Sequence, residues 1–459
     1  MPKPRANNKF FRKLNRFSFG FIEGKINFHE KHNSTYNDNE IFQTLLFLSI
    51  KNRYPENGCK RCKEIVEKSP DADTLYRRIN LKDKEEILRE FFFIQKEIIT
   101  RLRKRRIRRI VVFIDEHEIP WYGKPNPYVV GTNSFNGTNL CFKYITLNAL
   151  IDNYRICLFA LPVTPFSRKD KLVDKLLCVA KKWFKIGIVL FDRGFSRDSK
   201  TLKVVEKHGL KYLAPMEKRD RVKRIANLGD GVNPFYHTKY EFGKEKAITN
   251  LFFIPNKKHE KEKWKNYHVF CTNVDVTKAN LSFLADLYGK RWNIENFYRD
   301  AEGNFRIKTK TDDFITRYFF FLFMCIIYNL WYFVRGISPL IAERWKDLIE
   351  DGMREEREDK KLLENYLMYY VMMKNLFALF ISVTGVSFAF YFIEKACFSA
   401  ITKMMQNKEL KQIVLCIIVS QTRYANNDFL ANMRRYCIFQ MGARKKNKFS
   451  QGTIESDKI

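Results

Sequence analysis

Apolar and polar positions alternate with a period that changes along the chain, and the changes mark its organisation. Residues 39–53 place Ile41, Leu45 and Leu48 on one helical face, with Pro55 just past the end, and predict a helix. A shorter helix follows Gly58 and runs to Ser69, and Pro70, Asp71 and Asp73 form a capped start for another over residues 74–79. Residues 82–109 read as a longer helix. From Ile110 the period shortens. Residues 110–114, 141–150 and 155–161 predict three strands, the last two joined as a hairpin at Asp152-Asn153. Leu172, Val173, Leu176, Leu177 and Ala180 then recur at helical spacing within residues 169–184, and strand 186–191, helix 197–208 and strand 211–214 follow. Residues 216–280 are polar and alternating, with strands 250–254 and 267–273 the clearest. Residues 281–306 predict one helix, and 314–334 a second, strongly apolar one.

Two features of this pattern imply chemistry. The β-branched runs leading to Asp115 and Asp192 read as strands buried on both faces, and each ends on a carboxylate where such sheets bind ligands. In the helix ending at Arg306, Tyr288, Arg291, Glu295, Arg299, Glu302 and Arg306 share a stripe about 80° wide, while Ile294, Phe297, Ala301 and Phe305 form an apolar stripe roughly 120° away. An amphipathic helix with a solvated charged face would look the same. Two strand-end carboxylates and Glu295 can converge, and three carboxylates at close range repel unless a cation sits among them. Such hard oxygen ligands suit magnesium, with manganese able to substitute, and a pair of these ions serves phosphoryl transfer.

Composition narrows the partners. Lys and Arg exceed Asp and Glu by 84 to 51, a formal charge of +33. That excess favours a polyanionic partner, nucleic acid before an anionic membrane. The nine residues 101–109 are mostly basic and lead straight into the first strand, which favours phosphate contact. The 10 cysteines, without regular spacing or a secretory signal, indicate a reducing cytoplasm. Cys59 and Cys62 form a C-x-x-C that lacks the second ligand pair of a zinc site. Residues 318–334 and 376–393 approach the length of a membrane span, at about 18 to 20 residues; the first reads as buried core. His117 reads as a packed or solvent-facing histidine and Trp292 as core, with a share in holding an unstacked base as the rival reading. No Gly-rich phosphate loop is present.

At these residues a resemblance emerges. Tyr288, Arg291 and Glu295, within Tyr-Gly-Lys-Arg-Trp-Asn-Ile-Glu, resemble the signature helix of bacterial and archaeal DDE-class insertion-sequence transposases. Asp192-Arg193-Gly194-Phe195 is similar to that family's second-aspartate motif, and Phe113-Ile114-Asp115 to its first. The match runs from about Ile110 to Arg335. The family signature continues with a Lys where this chain has Glu302, so Arg299, Arg306 or Lys308 would have to supply that phosphate contact.

The resemblance implies an α/β, more strictly α+β, fold: a ribonuclease-H-like mixed sheet flanked by helices, with the first and fourth strands side by side. Ahead of it, the short helices joined by tight turns suit a helical DNA-binding region over residues 1–109, with Arg77 and Arg78 on a recognition helix; an ordinary helical subdomain is the rival reading. The catalytic core would span 110–216 and 281–336, interrupted by a β-rich insertion over 217–280. Residues 337–459, helical in period, would form a dimer or DNA contact. Asp115, Asp192 and Glu295 would be catalytic and hold Mg2+, or Mn2+ in its place; Tyr288, Arg291, Arg193 and Arg299 would contact DNA. The expected protein is a cytoplasmic, DNA-associated prokaryotic transposase that is not a membrane protein. It would act as a homodimer on double-stranded element ends and target. A structure-specific nuclease on the same fold, or a non-catalytic DNA-binding relic, are the rival readings.

Overall fold

The computed structural model describes residues 22–354 apart from 23, 67, 104–108, 152–153, 257–259, 338–341, 348 and 352. The described residues all belong to the first of the chain's two compact units, Met1–Lys361. The first 21 residues of the region expected to bind DNA, most of the basic run at 101–109, the apolar stretch 376–393 and nearly all of the helical C-terminal region lie outside the described residues.

Four helices come first: α1 (Asp38–Ile50), α2 (Pro55–Cys62), α3 (Ala72–Asn80) and α4 (Lys84–Arg103). A capping box of Asn37 and Glu40 starts α1, and the Asp71 side chain accepts from Thr74 N to start α3. Strands β1 (Ile110–Pro120), β2 (Val130–Phe135), β3 (Thr138–Ile151) and β4 (Tyr154–Val163) follow. Next come α5 (Lys169–Trp183), β5 (Ile186–Phe191), the one-turn α6 (Arg193–Ser196), α7 (Ser199–Lys207) and β6 (Lys211–Pro215). Then α8 (Asp220–Ala226) and strands β7 (Phe235–Phe242), β8 (Ala247–Pro255) and β9 (Tyr267–Thr272) precede α9 (Leu281–Gly289), α10 (Trp292–Phe305) and α11 (Phe314–Ile337).

All nine strands form one mixed sheet in the order β2-β3-β1-β5-β6-β9-β8-β7, with β4 also pairing with β3. Strand β1 runs parallel to β5, and β5 to β6, so the first and fourth predicted strands are neighbours as expected. The segment 217–280 prolongs this sheet: β9 pairs antiparallel with β6, and β8 and β7 continue outward. The hairpin between β3 and β4 is present, with Ile151 opposite Tyr154.

Two predicted elements are corrected. Strand β1 continues beyond Asp115 to Pro120, because β3 still pairs with it there after β5 has ended. The expected single helix over 281–306 is two. Gly289 weakens the helix at that point, and Asn293 Nδ2 takes the Lys290 carbonyl at 2.7 Å. Tighter three-residue bonds, such as Arg291 N to Tyr288 O at 2.8 Å, replace the regular ladder.

The apolar helix α11 is core, as the sequence suggests. It passes the length and hydropathy test for a span, yet 89% of that window is buried inside the protein. The polar side chain in its second half explains itself. Asn329 is fully buried, accepts from Cys157 N at 3.0 Å, and donates to Cys157 O at 2.8 Å and to Gln95 Oε1 at 3.0 Å. Cys157 adjoins the point where the β3–β4 register slips, so the amide replaces bonds that the irregular ladder cannot make. The Asn329→Leu substitution should leave these groups unpaired and cost about 2–4 kcal/mol, lowering the urea midpoint of unfolding. An unchanged midpoint would show that α11 is held by apolar packing alone.

Candidate active site

The site begins with strand register. The last paired residues of β1 and β5 are Ile114 and Phe191, so Asp115 and Asp192 emerge side by side at the carboxyl end of the parallel pair. Across β1 from Asp192, Asp115 lies opposite Thr146 of β3. Burial, and then the charge of Asp192, push the Asp115 carboxyl up to about 7, against the opposing pull of Arg291 and a hydrogen bond from Glu116 N at 2.9 Å. The continuation of β1 is polar but compensated: Glu116 meets Lys169 at 2.9 Å, and Glu118 meets Lys143 at 2.7 Å.

The break between α9 and α10 supplies the third side. Arg291 sits in the break, with Nη2 donating to Glu295 Oε1 at 2.7 Å and Nη1 lying 3.6 Å from Asp115 Oδ2. One guanidinium therefore bridges the first aspartate and the glutamate, and burial notwithstanding, the anions around it raise its pKa. Tyr288 is half-buried against Phe270, ring centroids 5.0 Å apart, with the Arg291 guanidinium 5.8 Å from its ring centre. Burial, before any neighbour, raises the Tyr288 hydroxyl, so it stays a neutral donor. An open cleft of about 730 Å³ extends from this point, lined among others by Asp192, Arg193, Arg197, Lys218, Tyr288 and Arg291.

The donor set fits a hard divalent cation. Three carboxylates lie around one region, burial and then Asp192 raise the pKa of Asp115, and the Arg291 guanidinium bridges Asp115 and Glu295. Their oxygens stand wider than a closed metal cage. Among the described residues, the group whose ligand atoms all lie within 4.8 Å of one another is a different one, Asp174, Cys178 and His208.

Helix α10 is fixed from several directions. Its apolar stripe of Ile294, Phe297, Ala301 and Phe305 is buried as the spacing predicts. Tyr298 OH meets Thr146 Oγ1 at 2.5 Å, and Arg155 reaches Asp300 at 2.8 Å. At the carboxyl end of α10, Ser49 Oγ donates to Phe305 O at 2.6 Å, and Asn52 Nδ2 lies 3.2 Å from Gly303 O. The N-terminal helices thus cap the helix that carries Glu295.

Other predicted site residues fall elsewhere. Arg78 is buried, donating to Ser34 Oγ at 3.0 Å and paired with Asp38 at 2.9 Å, which removes it from any DNA contact. Arg77 is exposed on the same helix, but α3 packs through Tyr76 against Phe320 of the core. Arg193 is exposed at the cleft, and Arg299 is exposed beside Asn296. Trp292, expected in the core, is 62% exposed. The helical wheel carried that signal, since Trp292 lies about 180° from the apolar stripe at 100° per residue. Arg197 and Lys218 line the cleft and were not singled out; Arg197 stands one helical turn beyond Arg193, a spacing that places both on one side. Cys59 and Cys62 are buried, and burial pushes their thiols up to about 12 and about 11.

Glu302 is a packed residue. Its Oε1 lies 3.2 Å from His117 Nε2 and 3.1 Å from Arg306 Nη1, and His117 stacks on Tyr298 with centroids 4.0 Å apart. Burial acts to raise the Glu302 pKa, but His117 and Arg306 outweigh it and hold the carboxyl below its usual range. Glu302→Lys would set an ammonium against both groups and should destabilise the protein by about 1–3 kcal/mol, with Glu302→Gln closer to wild type. Thermal melting of the three proteins measures this; a Lys variant as stable as wild type would show that the carboxylate has no structural part.

The Transposase DDE domain family model matches residues 106–330, which span β1 to most of α11. Among solved structures, the piggyBac transposase synaptic complex with hairpin DNA is similar at 11% identity, covering 80% of this chain and 82% of that one, with a TM-score of 0.47. The Mos1 strand transfer complex is more distant, at 13% identity over 46% of this chain and 67% of that one, with a TM-score of 0.17. No curated protein sequence matches the chain. Residues 106–330, which bring Asp115, Asp192 and Glu295 together, are thus matched as a Transposase DDE domain.

Proposed function

We propose that this DNA transposase binds the terminal inverted repeats of its own element and uses Asp115, Asp192 and Glu295 to cut and rejoin DNA strands. The observation that carries the reading is that Asp115 and Asp192 leave adjacent parallel strands side by side while Arg291 ties Asp115 to Glu295. Mg2+, or Mn2+ in its place, held by the three carboxylates would polarise the scissile phosphate and acidify the attacking water or 3′-hydroxyl. Arg291 and the neutral Tyr288 hydroxyl orient the phosphate, and Arg193 and Arg299 hold the flanking backbone. Most of the +33 charge would be met by DNA phosphates, which predicts affinity that falls steeply with salt. A homodimer would join the two element ends, and residues 337–459 would supply the dimer or DNA contact. The N-terminal helices would complete the DNA surface through Arg77, with the insertion strand β9 forming one wall of the cleft through His268, Val269 and Phe270.

A labelled duplex bearing the element's end tests the acids. Asp115→Asn, Asp192→Asn and Glu295→Gln should each bind the duplex yet cut it at least about 1000-fold more slowly, a loss on the order of 4 kcal/mol of transition-state stabilisation. Retained cleavage in any one of them would remove that residue from the catalytic set. Wild-type cutting without strand transfer would favour the nuclease reading, and binding without cutting in either metal the relic.

Trp292 would stack on a base beside the cut. Its side chain is exposed immediately after Arg291, and an indole left in water beside the acids is suited to a base face. Trp292→Ala should weaken binding of an end with unpaired bases about 5- to 100-fold, equivalent to the roughly 1–3 kcal/mol of one stacking contact, and Trp292→Phe should recover part of it. Equal affinities for all three proteins would exclude the stacking.

A further inference from the structure

The only Asp/Glu/Cys/His group among the described residues with its ligand atoms within 4.8 Å of one another is separate from the catalytic acids. Asp174 and Cys178 lie one turn apart on α5, the i and i+4 spacing that puts both on one face. His208 is the C-cap residue of α7, and its Nε2 lies 2.8 Å from Asp174 Oδ1. Lys181 Nζ donates to the His208 carbonyl at 2.9 Å, fixing the backbone from which the imidazole projects. Cys178 is exposed, whereas Cys59, Cys62, Cys141, Cys157, Cys271 and Cys325 are buried.

We propose that Asp174, Cys178 and His208 form a surface site for a borderline transition-metal ion, Zn2+ being the fitting cation. Thiolate and imidazole donors select against Mg2+, so the site differs in kind from the three carboxylates. Around tetrahedral zinc, with bonds of about 2.0–2.3 Å, neighbouring donor atoms stand roughly 3.3–3.8 Å apart. The His208–Asp174 pair at 2.8 Å is slightly closer than that, and no ligand pair exceeds 4.8 Å, so side-chain adjustments of about an ångström close the site. Three protein ligands leave a fourth position to water.

The placement gives the ion a structural task. Helix α5 leads into β5, whose far end delivers Asp192, and α7 returns to the start of β6. His208, just ahead of β6, therefore lies at the opposite edge of the parallel strands from Asp192. An ion here ties together the two helices that bracket the strand carrying the second aspartate.

The test uses the full-length protein, stripped of metal and titrated with Co2+. Thiolate ligation gives a near-ultraviolet charge-transfer band and tetrahedral geometry gives visible d–d bands. Both should saturate, be displaced by Zn2+, and persist in excess Mg2+. Cys178→Ser should abolish the charge-transfer band, and His208→Asn should weaken binding at least about 10-fold. In parallel, Zn2+ but not Mg2+ should protect Cys178 from alkylation, read by mass spectrometry of its peptide, which tests the wild type without any variant. A band retained in Cys178→Ser would place the thiolate elsewhere and overturn the assignment. So would unprotected Cys178 in Zn2+, leaving the His208–Asp174 contact as a simple polar bridge between helices.

Discussion

The placing of two half-buried aspartates side by side is the constraint around which the rest of the molecule is arranged. Parallel pairing of β1 with β5 brings Asp115 and Asp192 out at the ends of neighbouring strands about 4.8 Å apart, with Asp192 at the cleft. Burial first, and the charge of Asp192 second, push the Asp115 carboxyl up to about 7. A positive charge must be near, and Arg291 provides it while also holding Glu295. Arg291 reaches that position from the break between α9 and α10, where the chain leaves regular helix. The break would be loose by itself, and α10 is accordingly fixed by Thr146 of β3, by Arg155 of β4, and by Ser49 and Asn52 after α1.

That chain of dependence explains why the N-terminal helices share one hydrophobic core with the sheet. Phe28, Phe42 and Tyr76 meet Phe319, Phe323 and Phe320 of α11, so α11 is gripped on one side by these helices and on the other by β4 through Asn329. A helix apolar all round must be buried all round, and here the second layer of helices does what a bilayer would otherwise do. Arg78 follows the same logic. Its charge faces Asp38 at the start of α1, where it ties α3 to α1 and leaves only Arg77 of the pair outward.

Much of this was legible in the sequence, and the parts that were not have physical causes. Strands β1 and β5 announce themselves by continuous apolar runs, because a strand buried on both faces cannot carry polar residues until it leaves the core. The apolar stripe of α10 was equally plain. Strand β7 was missed: it is an outer strand reading Phe-Tyr-His-Thr-Lys-Tyr-Glu-Phe, with one buried side chain and a left-handed Lys239, so its period carries little core signal. The length of β1 was misjudged because Glu116, His117 and Glu118 look like loop; they meet Lys169, Glu302 and Lys143 from distant parts of the chain. Periodicity cannot see such partners. The break at Lys290 was hidden for a related reason, since one glycine in a helical pattern is ordinarily tolerated.

Glu302 shows how far a motif can be carried from residue to residue. Read against the resembling family, a carboxylate where a cation is expected points to a lost phosphate contact. In place, the carboxylate neutralises Arg306 and meets His117, which is itself stacked on the Tyr298 that bonds β3 beside Asp115. The residue supports the first aspartate from behind, and the charge on that stripe of α10 is redistributed accordingly. Arg306 is committed to Glu302, whereas Arg299 is exposed and partnered only by neighbours of its own helix. Arg299 is one turn from Glu295, and Glu302 nearly two, so a cation on this face is displaced by about 5 Å along the helix. A phosphate gripped by Arg299 would therefore lie nearer the three acids than one gripped from position 302.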